Sequence, residues 1–346
     1  MNITSKKVIL DNREITLYQL HNDQGMMIEA MNLGGIITKI MVADKDGTFE
    51  NVVLEWKDLS TYIENPGYLG AIIGRTAGRV HKAQVTIDNK KYSFPINDND
   101  NNIHGGINGF DKKIWDCEEI IDGEDAILKL SYVSEDGEEG YPGKLKVVVY
   151  YKLNNQNEFT IRYEATTNKM TLVNLTQHAY FNLSGDGKRS IEEQEMYIDS
   201  DKACEIDQDA IPTGKLIDLS MDPIFNFKNK KLIGQDINKE HIQLMYAKGY
   251  DHPWLLNKGT IAAELYDPIS KRSMEIRTNQ DAVVVYTMNH PNEHLLSNDK
   301  IDVTRYAVCF ETQAPPIGYN EVNKELSFLK PEEQYCHETT FSFKIK

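Results

Sequence analysis

The chain between residues 126 and 167 constrains the fold most strongly, because it holds three β-rich runs with almost nothing between them. The runs AILKLSYV, LKVVVYYKL and EFTIRYEATT are separated only by the turn-rich segments SEDGEEGYPGK and NNQN. Links this short join antiparallel strands, whereas parallel strands need a long crossover connection. The sequence therefore predicts an antiparallel sheet in this part of the chain.

Short β-rich runs, broken by Asn, Asp and Gly, continue on both sides of this region. Residues 84–96 predict a hairpin whose turn, at residues 88–90, includes an asparagine suited to the left-handed conformation. The C-terminal TTFSFKIK alternates Phe341, Phe343 and Ile345 with polar residues, which predicts a half-buried strand.

One window, residues 234–248, has a convincing helical pattern, with Gly249 as its C-terminal stop. The residues that would form its apolar face are Ile237, Ile242, Leu244 and Met245. No linker, composition shift or fixed-period repeat marks a domain boundary. A chain of 346 residues is long enough for one large all-β domain, and we predict a single antiparallel domain over residues 1–346.

Composition and charge exclude several classes of partner. The 38 Lys and Arg residues against 53 Asp and Glu give a net charge of −15, which disfavours binding to nucleic acid. The N-terminus lacks the apolar region of a signal peptide, and no stretch is apolar enough to span a membrane. The four cysteines have neither zinc-knuckle nor disulfide spacing: Cys117, Cys204, Cys309 and Cys336. We therefore expect a reduced, cytoplasmic protein without a membrane partner.

The segment NNIHGGINGFDKKIWD sets one histidine, His104, among residues that permit unusual backbone conformations. Gly105, Gly106 and Gly109 can adopt a positive φ at low cost. A histidine in such an irregular loop suggests a positioned side chain.

Other polar residues occur in similar surroundings, in NLTQHAYFNLSG, KGYDHPWLL, VCFETQAPPIGYN and IGRTAGRV. His178 and Glu311 could exchange protons at neutral pH if they converged with His104, and Arg79 carries donors suited to hydroxyls or anions. Glu311 follows the apolar residues VCF, and burying its carboxylate is costly unless it has a function or a partner. A structural salt bridge to an arginine is the alternative to a functional role for Glu311.

Several common mechanisms lack their sequence signatures. We find no G-x-S-x-G, no P-loop and no G-x-G-x-x-G after a strand. His290 and His294 have the spacing of a helical metal-ligand pair, but Pro291 lies between them and disfavours a helix. A loop site could still use the two histidines, but a solvated turn is the better interpretation, and acyl transfer, nucleotide hydrolysis and hydride transfer lose their usual sequence support.

Taken together, seven segments in this order resemble the aldose 1-epimerases, the galactose mutarotases, from about residue 70 to the C-terminus. The segments are IGRTAGRV, NNIHGGINGFDKKIWD, DGEEGYPGKL, NLTQHAYFNLSG, GYDHPWLL, FETQ and LKPEEQY. The resemblance implies a large antiparallel β-sandwich with few short helices, and an open cleft that binds a free aldose without metal or cofactor.

The resemblance also implies roles for individual residues. Glu311 would be the general base that takes the proton of the C1 hydroxyl, and His178 the general acid that protonates the ring oxygen. His104 would assist at the reacting region, while Arg79 and Asp251 would fix sugar hydroxyls.

Two departures from the family pattern bear on sugar preference. Some members have Asn where this chain has Gly78, and some have Gln in the strand where this chain reads VVVYT. Val284 cannot make a hydroxyl contact there, and Tyr286 could offer a ring face to the sugar instead.

Three alternatives remain open at the level of sequence: a mutarotase of a disaccharide, a mutarotase of a hexose 6-phosphate, and a non-catalytic carbohydrate-binding module. We expect a monomer or a weak homodimer.

Overall fold

The computed structural model describes residues 1–346 and consists mainly of β-strands, as predicted. In chain order the strands are β1 Asn2–Leu10, β2 Arg13–His21, β3 Met27–Met31, β4 Ile37–Ala43, β5 Phe49–Asn51, β6 Ile72–Ile73, β7 Arg79–Val80, β8 Gln84–Ile87, β9 Lys90–Ser93, β10 Asn102–Ile103, β11 Asp116–Asp122, β12 Asp125–Ser134, β13 Leu145–Asn154, β14 Glu158–Thr167, β15 Thr171–Leu172, β16 Thr176–Gln177, β17 Tyr180–Phe181, β18 Glu195–Ile198, β19 Ser200–Ile206, β20 Pro212–Asp218, β21 Lys231–Leu232, β22 Asp251–Leu256, β23 Ala263–Tyr266, β24 Arg272–Thr278, β25 Ala282–Tyr286, β26 Val308–Gln313, β27 Phe328–Leu329 and β28 Tyr335–Ile345.

Helical structure is sparse. The single α-helix, α1, comprises Ile242–Ala247. The 3-10 helices are Leu59–Ile63, Pro66–Tyr68, His81–Ala83, Phe110–Lys112, Glu138–Gly140, Ile191–Glu193, Ile233–Gln235, Tyr319–Glu321 and Lys324–Ser327. No helix is both long and apolar enough to cross a membrane. The single domain, the cytoplasmic location and the monomeric or weakly dimeric state stay predictions.

Three antiparallel sheets dominate the architecture. One has five strands in the order β1-β2-β3-β4-β5. The largest has nine, in the order β11-β12-β13-β14-β28-β24-β23-β18-β21, and the third has six, in the order β17-β26-β25-β22-β19-β20. The predicted strands of residues 126–167 are β12, β13 and β14, paired as direct neighbours. The hairpin of residues 84–96 is β8 and β9.

The main core is a cluster of 53 buried hydrophobic residues contributed by all three sheets. Ile28 represents the five-stranded sheet in it, Val149 the nine-stranded sheet and Phe310 the six-stranded sheet. Each sheet therefore turns one apolar face inward, which is the packing of a β-sandwich. The C-terminal strand follows its predicted alternation at Phe341 and Phe343, but Ile345 is exposed because it is the last residue of β28.

The prediction of a helix over residues 234–248 is correct only for its last part. The residues before α1 form only a short 3-10 helix, Ile233–Gln235, which ends at Asp236, where that carboxylate forms ion pairs with Lys231 and Lys239. Ile242 and Met245 are exposed, so the predicted apolar face is wrong. The predicted stop is confirmed. The helix ends at Ala247, Lys248 is left-handed, and the Gly249 N–H donates to the carbonyl of Leu244.

The buried guanidinium of Arg75 joins the segment between β6 and β7 to the loop between β12 and β13. Arg75 is 2% exposed and donates to the Ser134 hydroxyl and to the carbonyls of Ser134, Glu135 and Pro142. The segment that leads to Arg79 is thereby fixed to the loop between β12 and β13. Arg75 is fully engaged in structural hydrogen bonds.

We predict that Arg75→Met destabilises the protein by about 3 kcal/mol or more, because it leaves several buried carbonyls without donors. Urea unfolding followed by fluorescence measures the effect. Arg13→Met is the matched control, since Arg13 is exposed and forms no ion pair, and it should change stability by less than about 0.5 kcal/mol. Equal shifts in the two variants would contradict the assigned anchoring role.

Candidate active site

Three neighbouring strands, β22, β25 and β26, form the floor of a cavity. Side chains of a strand alternate between the two faces of its sheet. Val283 and Val285 on β25 and Phe310 on β26 point into the main core, so the residues between them face the other way. Val284 and Glu311 are paired across β25 and β26 and therefore lie side by side on the cavity floor.

The next row of cross-strand neighbours adds Tyr286 and Asp251. Tyr286 pairs with Asp251 on β22 and with Cys309 on β26. The Tyr286 hydroxyl accepts a hydrogen bond from the His290 N–H at 3.1 Å, which fixes its half-buried ring in the cavity wall. The use of this ring as a contact face for a sugar stays a prediction.

His178 approaches the floor from the segment between β16 and β17. Its N–H donates to the carbonyl of Ala71 and its carbonyl accepts from the Gly70 N–H, each at 3.0 Å. The His178 Nε2 lies 3.5 Å from the Glu311 Oε1, and its Nδ1 lies 3.6 Å from the Cys309 Sγ. One ring nitrogen therefore faces the carboxyl group and the other faces a buried thiol.

His104 is held by a reciprocal pair of hydrogen bonds with Gly78. The Gly78 N–H donates to the His104 Nδ1 at 3.2 Å, and the His104 N–H donates to the Gly78 carbonyl at 3.1 Å. Because a backbone N–H can only donate, Nδ1 is the acceptor and the proton of the neutral ring is on Nε2. The rings of His104 and His178 are perpendicular, at 89°, with centroids 5.2 Å apart.

The glycines of this histidine loop follow the prediction in part. Gly105 and Gly106 have φ values of +86° and +113°. A Cβ on Gly105 would lie 1.9 Å from the carbonyl oxygen of Gly74, so no larger residue fits. Gly109 does not use its capacity for a positive φ: its φ is −66°, because it is the extended residue that leads into a 3-10 helix. His104 itself has a φ of +53°.

Arg79 lies between two carboxylates at another edge of the cavity. Its Nε donates to the Asp98 Oδ2 at 2.6 Å, and its Nη1 lies 3.6 Å from the Asp251 Oδ2. Burial raises the pKa of Asp251, and the neighbouring guanidinium opposes that shift. The Arg79 Nη2 forms no hydrogen bond within the protein and remains available to a ligand.

All six residues predicted from the sequence line one cavity of about 200 Å³. They are His104, His178, Glu311, Arg79, Asp251 and Tyr286. The sequence did not indicate several other lining residues, among them Tyr68, Tyr180, Ala210 and Asn292, and it indicated His290 only as a possible metal ligand. The only available signal for Tyr68 and Ala210 was their position in turns, and such a signal is too common to identify a site.

Burial shifts the pKa values of the central groups toward their neutral forms. It raises the pKa of Glu311 well above its usual value; Asp251 adds to this shift and Arg79 opposes it. Burial lowers the pKa of His178 to about 4 and that of His104 well below its usual value. The alternative of a structural salt bridge between Glu311 and an arginine is wrong, because no arginine lies within salt-bridge distance of Glu311 and its neighbour at 3.5 Å is His178.

The same three groups have the composition of a cation site. One donor atom from each of His104, His178 and Glu311 lies within 4.8 Å of the other two. Two imidazoles and a carboxylate are also a common ligand set for zinc. The expectation that the reaction uses no metal stays a prediction.

A sequence model of the family described as aldose 1-epimerase matches residues 16–342. The chain belongs to the aldose 1-epimerase family. The match begins well before residue 70, so β3, β4, β5 and most of β2 belong to the region shared with the family. Members of this class are isomerases, and the reaction of this protein is the interconversion of α and β anomers of an aldose.

Individual relatives agree with this assignment over almost the whole chain. Galactose mutarotase from Bos taurus is 35% identical over 333 residues, which cover 95% of this chain and 94% of the relative. Aldose 1-epimerase from Escherichia coli is 28% identical over 339 residues and 96% of each chain. The crystal structure of galactose 1-epimerase from Lactobacillus acidophilus matches 99% of both chains with a TM-score of 0.90 and 30% identity. The predicted mutarotase-like β-sandwich is therefore confirmed.

We predict that the His104 ring is neutral with its proton on Nε2 at pH 7, because Nδ1 accepts from Gly78 and burial lowers the ring pKa. Nitrogen-15 NMR of histidine-labelled protein distinguishes this tautomer, and His104→Gln assigns the signal. The ring should remain neutral when the pH is lowered through 6.5. An imidazolium signal at that pH, or a proton on Nδ1, would contradict the assignment.

Proposed function

We propose that this aldose 1-epimerase acts on free galactose or glucose, with Glu311 as the general base and His178 as the general acid. The observation that carries the proposal is the 3.5 Å contact between the His178 Nε2 and the Glu311 Oε1 on the cavity floor. Opening a cyclic hemiacetal requires one proton to leave O1 while another reaches the ring oxygen. Both oxygens are bonded to C1, so an acid and a base this close together match the reaction.

The protonation states that Glu311 and His178 favour support these roles. Ring opening uses a carboxylate on Glu311 and an imidazolium on His178, and it leaves a carboxylic acid and a neutral imidazole. Burial favours this second, uncharged arrangement, because it raises the pKa of Glu311 and lowers that of His178. The site therefore stabilises the proton positions that accompany the open-chain aldehyde, while Arg79 keeps the carboxylate form accessible.

The two histidines differ in what they can do. The His178 Nδ1 faces the Cys309 thiol, so Nε2 is the nitrogen that exchanges a proton with the sugar. His104 offers an Nε2–H donor, since its Nδ1 already accepts from Gly78. We assign His104 to hydrogen bonding with the reacting oxygens, where it stabilises negative charge during proton transfer.

Residues away from the reacting carbon hold the sugar. After ring opening, rotation about the C1–C2 bond exposes the other aldehyde face, and closure gives the other anomer. Binding must therefore rely on hydroxyls that do not change position. Arg79 and Asp251 offer donors and acceptors for them, and Tyr286 offers a ring face.

The competing functions fit the cavity less well. Recognition of a sugar phosphate favours several free cationic groups. Arg79 is the only arginine or lysine that lines the cavity, it is paired with Asp98 and Asp251, and Arg75 is buried elsewhere. A non-catalytic binding module has no need for a buried acid and base in contact, so the pair of His178 and Glu311 favours catalysis.

We predict that Glu311→Gln and His178→Asn each lower kcat by about 10²- to 10⁴-fold, because each removes one of the two proton-transfer groups. Polarimetry on freshly dissolved α-galactose and α-glucose measures the rate above the buffer blank. Glu338→Gln and His337→Asn, on β28, are matched controls and should keep full activity. Near-ultraviolet circular dichroism checks folding. A folded variant at either site with more than a tenth of the wild-type rate would refute its role.

We also predict a bell-shaped pH dependence of kcat/KM, because the pair must carry one proton. Activity should fall on the acid side as the pH drops through about 4, where a second proton binds to His178. It should fall on the alkaline side as the shared proton is lost, at a pH above the usual range of a carboxyl group. The two limbs belong to the pair as a whole. An acid limb near pH 6.5, typical of an unperturbed histidine, would contradict this account.

A further inference from the structure

Cys309 lies in contact with the ring of His178. The cysteine is fully buried on β26, two residues before Glu311, so both side chains extend from the same face of the strand. Its cross-strand neighbours are Tyr180 on β17 and Tyr286 on β25. The His178 ring packs against this row, with its centroid 5.0 Å from that of Tyr180. One strand therefore supplies a carboxyl group on one side of the imidazole and a thiol on the other.

The thiol is the only side-chain hydrogen-bond partner of the His178 Nδ1, and the Nδ1 to Sγ distance is 3.6 Å. The nearest aromatic ring does not compete for this nitrogen, because the Tyr180 hydroxyl donates to the carbonyl of Gly67 at 2.8 Å. The Nε2 faces Glu311 instead, at 3.5 Å. The hydrogen bond at one ring nitrogen sets the protonation of the other, so Cys309 is placed to select the tautomer of His178.

The proposed reaction requires one particular tautomer of His178. The ring gives its Nε2 proton to the sugar ring oxygen and takes a proton back at the same nitrogen when the sugar closes. The neutral ring must therefore have a free lone pair on Nε2, which places its proton on Nδ1. Free histidine favours the opposite tautomer, so the site needs a hydrogen-bond acceptor at Nδ1 to hold the reactive one.

The sulfur of Cys309 can accept this hydrogen bond without bringing a charge to the site. Burial raises the pKa of the Cys309 thiol well above its usual value, and Glu311 and Asp251 add to the shift. The thiol therefore stays neutral, and neutral sulfur is a weak acceptor. A carboxylate in its place would stabilise the imidazolium and make His178 a weaker acid. A neutral acceptor fixes the tautomer and leaves the ring a strong acid.

We propose that Cys309 is a positioning residue, whose sulfur accepts a hydrogen bond from the Nδ1–H of His178 and so keeps Nε2 as the nitrogen that exchanges protons. The Nδ1 proton stays on nitrogen throughout, and no proton passes to sulfur. The two histidines of the site then carry opposite tautomers, because the Nδ1 of His104 accepts from the Gly78 N–H. The effect on the rate rests on the proposed function, whereas the tautomer is a property of the protein without sugar.

The first test needs only the wild-type protein. Nitrogen-15 NMR of histidine-labelled protein at pH 7, without sugar, reads the tautomer of both rings, and His178→Asn assigns the signals of His178. We expect the proton on Nδ1 in His178 and on Nε2 in His104. A neutral His178 ring with its proton on Nε2 would overturn the proposal, whatever the activity of the protein.

The second test removes and restores the acceptor. Cys309→Ala should shift the NMR signals of His178 toward the Nε2–H tautomer and lower kcat by about 3- to 10-fold, the effect of one neutral hydrogen bond, with KM within about 2-fold. Cys309→Ser keeps a neutral acceptor and should recover the wild-type tautomer and most of the rate. Cys204→Ala is the matched control, since Cys204 is a buried cysteine on β19 outside the lining of the cavity, and it should change neither quantity.

The possible failures are distinguishable. If folded Cys309→Ala keeps both the tautomer and the rate, or loses rate without a change of tautomer, the thiol only fills space and the proposal is refuted. If the wild-type protein accelerates no sugar, the proposed function is refuted, and the NMR measurement still decides whether Cys309 sets the tautomer of His178.

Discussion

The contact between His178 and Glu311 is the constraint on which the rest of the site depends. Two ionisable groups, 4% and 3% exposed, lie 3.5 Å apart at the base of a cavity. Burying an ionised group without compensation is costly, and neutral forms reduce that cost. Burial raises the pKa of Glu311 and lowers the pKa of His178, so both shifts favour the neutral forms. The proposed mechanism uses these shifts, because opening a hemiacetal gives one proton to Glu311 and takes one from His178.

Regular strands and irregular loops contribute differently to this geometry. β25 and β26 fix Glu311 by strand alternation, with the opposite face of each strand in the main core. The histidines come from loops, where backbone hydrogen bonds replace the sheet ladder. His104 is fixed by the reciprocal bonds with Gly78, and the glycine that follows His104 has no room for a side chain. The precision of the site thus comes from close backbone packing around two loop residues.

The balance of charge around the cavity supports the proposed preference for sugars without a phosphate group. Arg79 is the only arginine or lysine in the lining, and it is shared by Asp98 and Asp251. The lining therefore offers a neutral sugar many donors and acceptors but offers a phosphate little uncompensated positive charge. Gly78 has no side chain and Val284 no polar group, and this is why the proposed recognition of sugar hydroxyls assigns a central part to Arg79 and Asp251.

The sequence by itself determined the fold class and the strands of residues 126–167, because strand alternation and short turns are local features. It also determined the six residues that share the cavity, because the seven motifs that contain them are specific to one family. It did not determine the length of α1 or the conformation of Gly109. These depend on Asp236 ion pairs and on the 3-10 helix that follows the loop. Tertiary structure alone brought His178 to Glu311, gave His104 its tautomer through Gly78, and set the Cys309 thiol against the His178 ring. The physical reason is that each of these contacts joins residues distant in sequence, so its distance and its effect on a pKa exist only after the strands and loops have packed.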